Sequence, residues 1–261
     1  MAKVTPISVA PGATKPKAAG SAVTLKRANN VISIQAALQA QMESNSAKTE
    51  PPGGSQIRMT QDKKFMLPNG VKTAGPLELV VIDFNSQYKF WEGAYDKDSI
   101  KPVACFAIGD NPRAMAPSPN SPIKQATSCQ VCPMNMYKSD TNGKGKACKN
   151  SRVMVVMPPD GDEDTPLWLL ATSPTATKDF DSFVEGVKRV FQLPPVGVIV
   201  TVGFDDSETY AKLTFSDPKP NPNIGAHFAR MEEARAMLLV EPDVSKFEHA
   251  APTKKAAGAR R

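Results

Sequence analysis

Roughly seven β-rich segments, one amphipathic helical segment between two groups of them, and four cysteines confined to residues 105–148 predict a mainly β, α+β fold. That layout suits an OB-like antiparallel barrel with an inserted four-cysteine loop, a C-terminal helix and tails without structure. Small all-β sandwiches share the strand count.

The ends differ in composition from the middle. Residues 1–56 are rich in Ala, Lys, Ser, Pro and Gly and lack aromatics, and 249–261 read AAPTKKAAGARR after His249. Both are expected to be disordered, basic segments flanking a domain at 57–248, whose core spans 76–217. Inside the arm, Asn30 is a candidate N-cap, with Val31, Ile34, Leu38 and Met42 on one face of a short helix. Residues 56–75 carry turn signals at Asn69-Gly70 and Gly75-Pro76 and few periodic cues.

From Pro76 the strand signals follow one another. LELVVIDF alternates Leu77, Leu79 and Val81 against Glu78, Val80 and Ile82; SQYKFWEGAY reads as a second strand with an exposed aromatic face, and PVACFAIG as a third. The proline-rich GDNPRAMAPSPNSP is a long irregular loop. RVMVVMPPD and TPLWLLATS form a hairpin across the acidic DGDEDT loop. The helix SPTATKDFDSFVEGVKRVF follows, with Ser173 or Thr177 as cap, Phe180, Phe183, Val184, Val187 and Phe191 on one face, and Lys188 and Arg189 in the last turn. PVGVIVTVGF and TYAKLTF are the last strands. Beyond PKPNPN, residues 223–241 read as one helix ended by Pro242.

Cys105, Cys129, Cys132 and Cys148 are the candidate metal ligands. Two residues and a following proline in CQVCPMN make a tight knuckle that can aim two thiolates at one ion, and the outer cysteines complete a four-sulfur shell of the structural zinc kind. A redox pair requires a βαβ context that the sequence does not show. Disulfides require an oxidising compartment, and Lys3 is followed by no apolar signal region. The expectation is Zn²⁺, with disulfides, free thiols and an iron–sulfur cluster as the alternatives, in a cytoplasmic protein with no membrane-spanning segment, since no apolar run approaches the roughly 18 residues that spanning requires.

A net charge of +6 makes a polyanion the natural partner. Lys138, Lys144, Lys146, Lys149 and Arg152 cluster against a single acid, Asp140, and Gly143 and Gly145 offer close backbone approach to a phosphate. Tyr88, Trp91 and Tyr210, with Lys212, are candidates for base stacking beside cations. Phe180, Phe183, Phe191 and Trp168 read as core. An enzyme is not expected: His227 and His249 are the only histidines, and Asp83, Asp110, Asp162, Asp164 and Asp205 are scattered without a nuclease-like spacing.

The cysteine stretch resembles a group of phage- and plasmid-encoded proteins. The matching pieces are Cys105, CQVCPMN at 129–135, Ser139, GKGKACK at 143–149 and Arg152 before VMVVM, with a weaker match over 76–217. The resemblance implies a single-stranded DNA-binding or replication-associated protein of a bacterial host cell, contacting replication proteins, with RNA as the alternative strand. The chain departs from many single-strand binders by ending in Lys254, Lys255, Arg260 and Arg261 rather than in an acidic tail. An adaptor that displays its tails to a replication or transcription partner is the second reading, and a metal-dependent nuclease the third.

Overall fold

The computed structural model describes residues 55–93 and 101–247, together with four exposed helical positions, Ile34, Ala37, Leu38 and Gln41. Contacts separate residues 1–50 from 51–261. Residues Asn30, Val31, Met42 and His249, the tail from 249, and the arm before Ser55 apart from those four positions lie outside the described residues.

Among the described residues nine strands form one mixed, curled sheet: β1 (Gln56–Met59), β2 (Phe65–Met66), β3 (Lys72–Thr73), β4 (Leu77–Phe90), β5 (Cys105–Gly109), β6 (Lys149–Met157), β7 (Trp168–Ala171), β8 (Val198–Phe204) and β9 (Leu213–Pro220). Among residues 55–93 and 101–247, three α-helices accompany it: α1 (Thr177–Phe191), α2 (Ile224–Ala229) and α3 (Met231–Leu238). The spatial order is β3-β2-β1-β7-β6-β4-β8-β9, with β5 as a branch on β4. β1 and β7 pair in parallel, the other pairs are antiparallel, and the end strands β3 and β9 do not pair with each other. The antiparallel barrel expected from the strand count is therefore not closed. Its two faces are covered by helices instead.

β4 is the spine. The two strands expected at 77–84 and 86–95 are one strand of 14 residues, Leu77–Phe90, because Asn85 and Ser86 find partners instead of turning. The Asn85 amide donates to the Leu238 carbonyl at 2.9 Å, and the Ser86 hydroxyl accepts from the Arg152 guanidinium at 3.0 Å. A register shift against β6 between Val81 and Asp83 is a bulge that exchanges the faces of the strand. Leu79 and Val81 precede it, and Phe84 follows it, in the first core.

That core lies under α1. Phe180 meets Phe84 edge-on at 5.0 Å and Phe215 at 5.2 Å, and Phe183 stacks on Phe215 at 5.8 Å. Ile57 and Phe65, from the segment read as nearly featureless, are fully buried in the same cluster, so the core begins about twenty residues before Pro76. The opposite face of the sheet packs Val80, Ile82, Val153, Val155 and Met157 against Ala234 and Leu238 of α3. Burial on both faces explains why VMVVM is apolar without alternation.

The single helix expected over 223–241 breaks at Arg230. Arg230 donates to the carbonyls of Asp162 and Thr165, and the buried His227 ring joins the Gly161 carbonyl at 3.1 Å and the Asn221 amide at 2.9 Å. These bonds hold α2 to the acidic loop, while α3 turns to lay Ala234 and Leu238 on the sheet. Among the described residues no helix is long and apolar enough to cross a membrane.

Phe180→Ala is expected to lower the unfolding free energy by about 3–5 kcal/mol, because the fully buried ring leaves a cavity. Val190→Ala, on the exposed side of α1, is expected to change it by less than about 0.5 kcal/mol. Urea denaturation followed by circular dichroism measures both.

Candidate nucleic-acid interface at the cysteine loop

The Phe90 end of β4 carries the site. Phe90 pairs with Cys105, which opens β5, and Lys89 pairs with Lys149, which opens β6 directly after Cys148. The segment between β5 and β6 is folded back by specific bonds. Ser121 exchanges hydrogen bonds with both backbone groups of Phe106 at 3.0 Å, which gives the outer edge of β5 a side-chain partner. Further on, the Cys129 N–H donates to the Met115 carbonyl at 3.0 Å and the Cys148 N–H to the Met134 carbonyl at 2.8 Å. Pro133–Asn135 is a single 3₁₀ turn. The Asn135 amide of that turn closes the knuckle by donating to the Cys129 carbonyl at 2.7 Å.

All four cysteines are buried free thiols. They line one small cavity together with Tyr88, Phe90 and Met134. Burial, reinforced by the neighbouring thiols, pushes Cys129 up to about 11 and Cys148 up to about 12. Among the described residues no group of three or more His, Cys, Asp or Glu side chains is placed to hold a metal ion, so the four-cysteine zinc site expected from the spacing is not shown. The donor chemistry nevertheless fits a soft divalent cation: four sulfurs share one cavity, with no carboxylate among its lining residues.

Around this cavity the basic residues divide into two kinds. Lys138, Lys144 and Lys149 are exposed, and the ion pairs among the described residues involve none of them. The Lys149 ammonium donates to the Lys146 carbonyl at 2.7 Å, and the Lys146 ammonium to Asn135 Oδ1 at 3.2 Å. Arg152, by contrast, is buried and points away from solvent. Its guanidinium makes a two-pronged pair with Asp181 of α1 at 2.9 and 2.8 Å and bonds Ser86, so its charge already has a carboxylate partner and it is not a free phosphate contact.

Two other expected contacts, Tyr88 and Lys212, change in the same way, and the two remaining aromatics are set apart. Tyr88 is buried against Ala107, Met115, Cys129 and Cys148, and its hydroxyl faces the Pro112 carbonyl at 3.3 Å, so no ring face is open to a base. Lys212 is held by Asp179 at 3.1 Å and Asp205 at 3.3 Å, and those bonds raise its pKa. Trp91 and Tyr210 are 37% and 41% exposed, but the register sets them at opposite ends of β4. Trp91 follows Phe90, whereas Tyr210 belongs to the β8–β9 connection beyond the Leu77 end.

The glycines of GKGKACK serve the loop rather than a phosphate. Gly143 has φ +65°, a left-handed conformation that glycine adopts without strain. At Gly145 a Cβ would stand 3.0 Å from the Asp140 carboxylate. Asp140 gathers the turn: bonds from the Gly145 and Lys144 amides hold its carboxyl below the usual carboxylate range. The Lys144 N–H donates to it at 2.9 Å, and the Gly143 N–H donates to the Asp140 carbonyl at 3.0 Å. The one acid of the cluster is thereby built into the turn.

Two residues escaped the sequence reading. Tyr137 is 76% exposed with the Lys146 ammonium 5.4 Å from its ring centroid; the readable signal was an aromatic in a loop, between Met136 and Lys138, with no strand to bury it. Lys89, half-buried opposite Lys149, has its pKa lowered by burial. Comparison with protein-family models, curated proteins and solved structures finds no match to this chain.

The thiol shifts set a pH dependence. A folded-state pKa raised above the ordinary 9.0 stabilises the fold fully below that value and loses the contribution as pH rises through the folded pKa. Protein stripped of metal is therefore expected to show a denaturation midpoint that falls between about pH 9 and about 12. Cys148→Ala should flatten this decline, as a urea titration at each pH would reveal.

Proposed function

We propose that this protein binds single-stranded DNA without sequence preference, in the manner of a replication- or recombination-associated protein of a phage, through the basic surface of the cysteine loop. The observation that carries this reading is a set of exposed lysines, Lys138, Lys144 and Lys149, beside Lys146, on a loop whose single acid, Asp140, is engaged by backbone N–H groups of its own turn. A polyanion relieves the mutual repulsion of these cations and releases counterions on binding. The motif resemblance at 105–152 points the same way, and an OB-like character for the curled sheet belongs to the same reading.

Zinc is part of the proposal. Cys105, Cys129, Cys132 and Cys148 would hold it, and its role when bound would be a structural cross-link between the starts of β5 and β6 and the knuckle. The lysines would then ride on a loop pinned at its base. The protein would act by binding alone, without chemistry on the strand.

Fluorescence titration with oligothymidylate at several salt concentrations tests the reading. The log–log slope falls by about 0.7 for each phosphate neutralised on a single strand, so Lys138→Ala with Lys144→Ala is expected to flatten it by about 1.4. Wild-type protein that shows no salt-sensitive binding would transfer the case to a protein-binding adaptor, and cleavage of the DNA on adding Mg²⁺ would transfer it to a nuclease. Protein purified without chelator is expected to contain about one zinc per chain and to lose stability on chelation; less than half an equivalent would remove zinc from the account.

A further inference from the structure

Tyr137 is the most exposed of the large apolar side chains among the described residues, at 76%, and its loop neighbours Val131 and Met136 are also exposed. Its backbone is nonetheless tightly held. The Ser139 hydroxyl donates to the Met134 and Met136 carbonyls and accepts from the Ala147 N–H at 2.9 Å, bracketing Tyr137 on both sides. Lys138 follows in the left-handed region at φ 69°, which redirects the chain directly after the ring. A solvated ring on a fixed base has little conformational freedom to lose on binding, and that lowers the cost of stacking.

One side of the ring already has a partner. The Lys146 ammonium lies 5.4 Å from its centroid and is fixed there by Asn135 Oδ1, a cation–π contact. Lys138 and Lys144 are exposed in the same loop. We propose that Tyr137 is the base-stacking residue of this protein: its open face receives a base of single-stranded DNA while Lys138, Lys144 and Lys146 lie toward the flanking phosphates. The inference rests on the DNA-binding reading above and adds the residue on which the strand is held. A protein partner fits this patch less well, because covering so small an apolar tip would desolvate the lysines around it, and lysine is depleted at the centres of protein interfaces.

The test compares wild type with Tyr137→Ala, Tyr137→Phe and Tyr137→Trp in oligothymidylate titrations at several salt concentrations. Photocrosslinking to an iododeoxyuridine-substituted oligonucleotide, followed by peptide mapping, is done in parallel. Tyr137→Ala is expected to weaken binding about 5- to 150-fold, the range for loss of one stacked base, with the salt slope unchanged. The Phe and Trp variants should recover most of the affinity, and the crosslink should fall on the peptide containing Tyr137. Circular dichroism should be identical throughout, since the ring supports no core. If Tyr137→Ala binds like wild type, or the crosslink maps to Trp91 or Tyr210, the stacking role is overturned while the DNA-binding reading stands. A flattened slope in Tyr137→Ala would also overturn it, by showing that the ring acts only through Lys146. If the wild type binds no oligonucleotide, both readings fall together.

Discussion

A single strand of 14 residues, Leu77–Phe90, has to serve three environments, and the rest of the fold follows from how it does so. Its first half is buried on both faces, between the aromatic core under α1 and the aliphatic core under α3. Its last residues wall the cysteine cavity through Tyr88 and Phe90. On one edge β6 runs along most of its length, whereas the other edge is shared between β8 at the start and β5 at the end. On the face covered by α3, the side-chain amides of Asn85 and Gln87 both donate to the Leu238 carbonyl. The bulge after Val81 lets one strand satisfy a core-packing pattern and a site-forming pattern of opposite parity.

Arg152 joins these environments. It lies opposite Ser86 on β6 and reaches Asp181 on α1, between the aromatic core below and the cysteine cavity above. A buried guanidinium deprived of its carboxylate is costly, on the order of 3–5 kcal/mol when both partners are buried. Here the figure is smaller, because the Asp181 side chain is 45% exposed and water can take part of the load. The pair therefore works mainly as a positioning device. It fixes where α1 crosses the sheet and keeps β6 aligned as it enters the loop with Cys148 and Lys149.

Much of the fold was legible because local patterning and tertiary demand agreed. α1 was readable from Phe180, Phe183 and Val187, and the β6–β7 hairpin from two apolar runs around an acidic loop. What failed did so for identifiable reasons. β1 to β3 are too short for period-2 alternation to register, although Ile57 and Phe65 are among the most buried residues. Asn85 and Ser86 look like a turn until the distant carbonyl of Leu238 and the side chain of Arg152 are known. In the site, sequence proximity grouped Arg152 with the lysines, but a strand alternates its side chains and the neighbouring helix supplied an acid. Tyr88 was lost to the core by the same logic, and Tyr137 was overlooked because a loop aromatic carries no periodic signal.

The contrast between Arg152 and the loop lysines is physical rather than accidental. A guanidinium is weakly hydrated and can spread its donors over Asp181 and Ser86 within the fold, whereas an ammonium on a flexible stem is strongly hydrated and stays at the surface unless it is well paired. Lys89 shows the boundary case, half-buried with its charge disfavoured by desolvation. Cations that cannot be buried cheaply remain exposed in the loop, one turn of which is built around Asp140. Their repulsion is weakened by screening over a Debye length of about 8 Å at physiological salt, so the cluster costs the folded protein little while still presenting a concentrated positive field at contact distance. The loop thus turns its cations and one aromatic ring outward, and the proposed contact with a single strand rests on that arrangement.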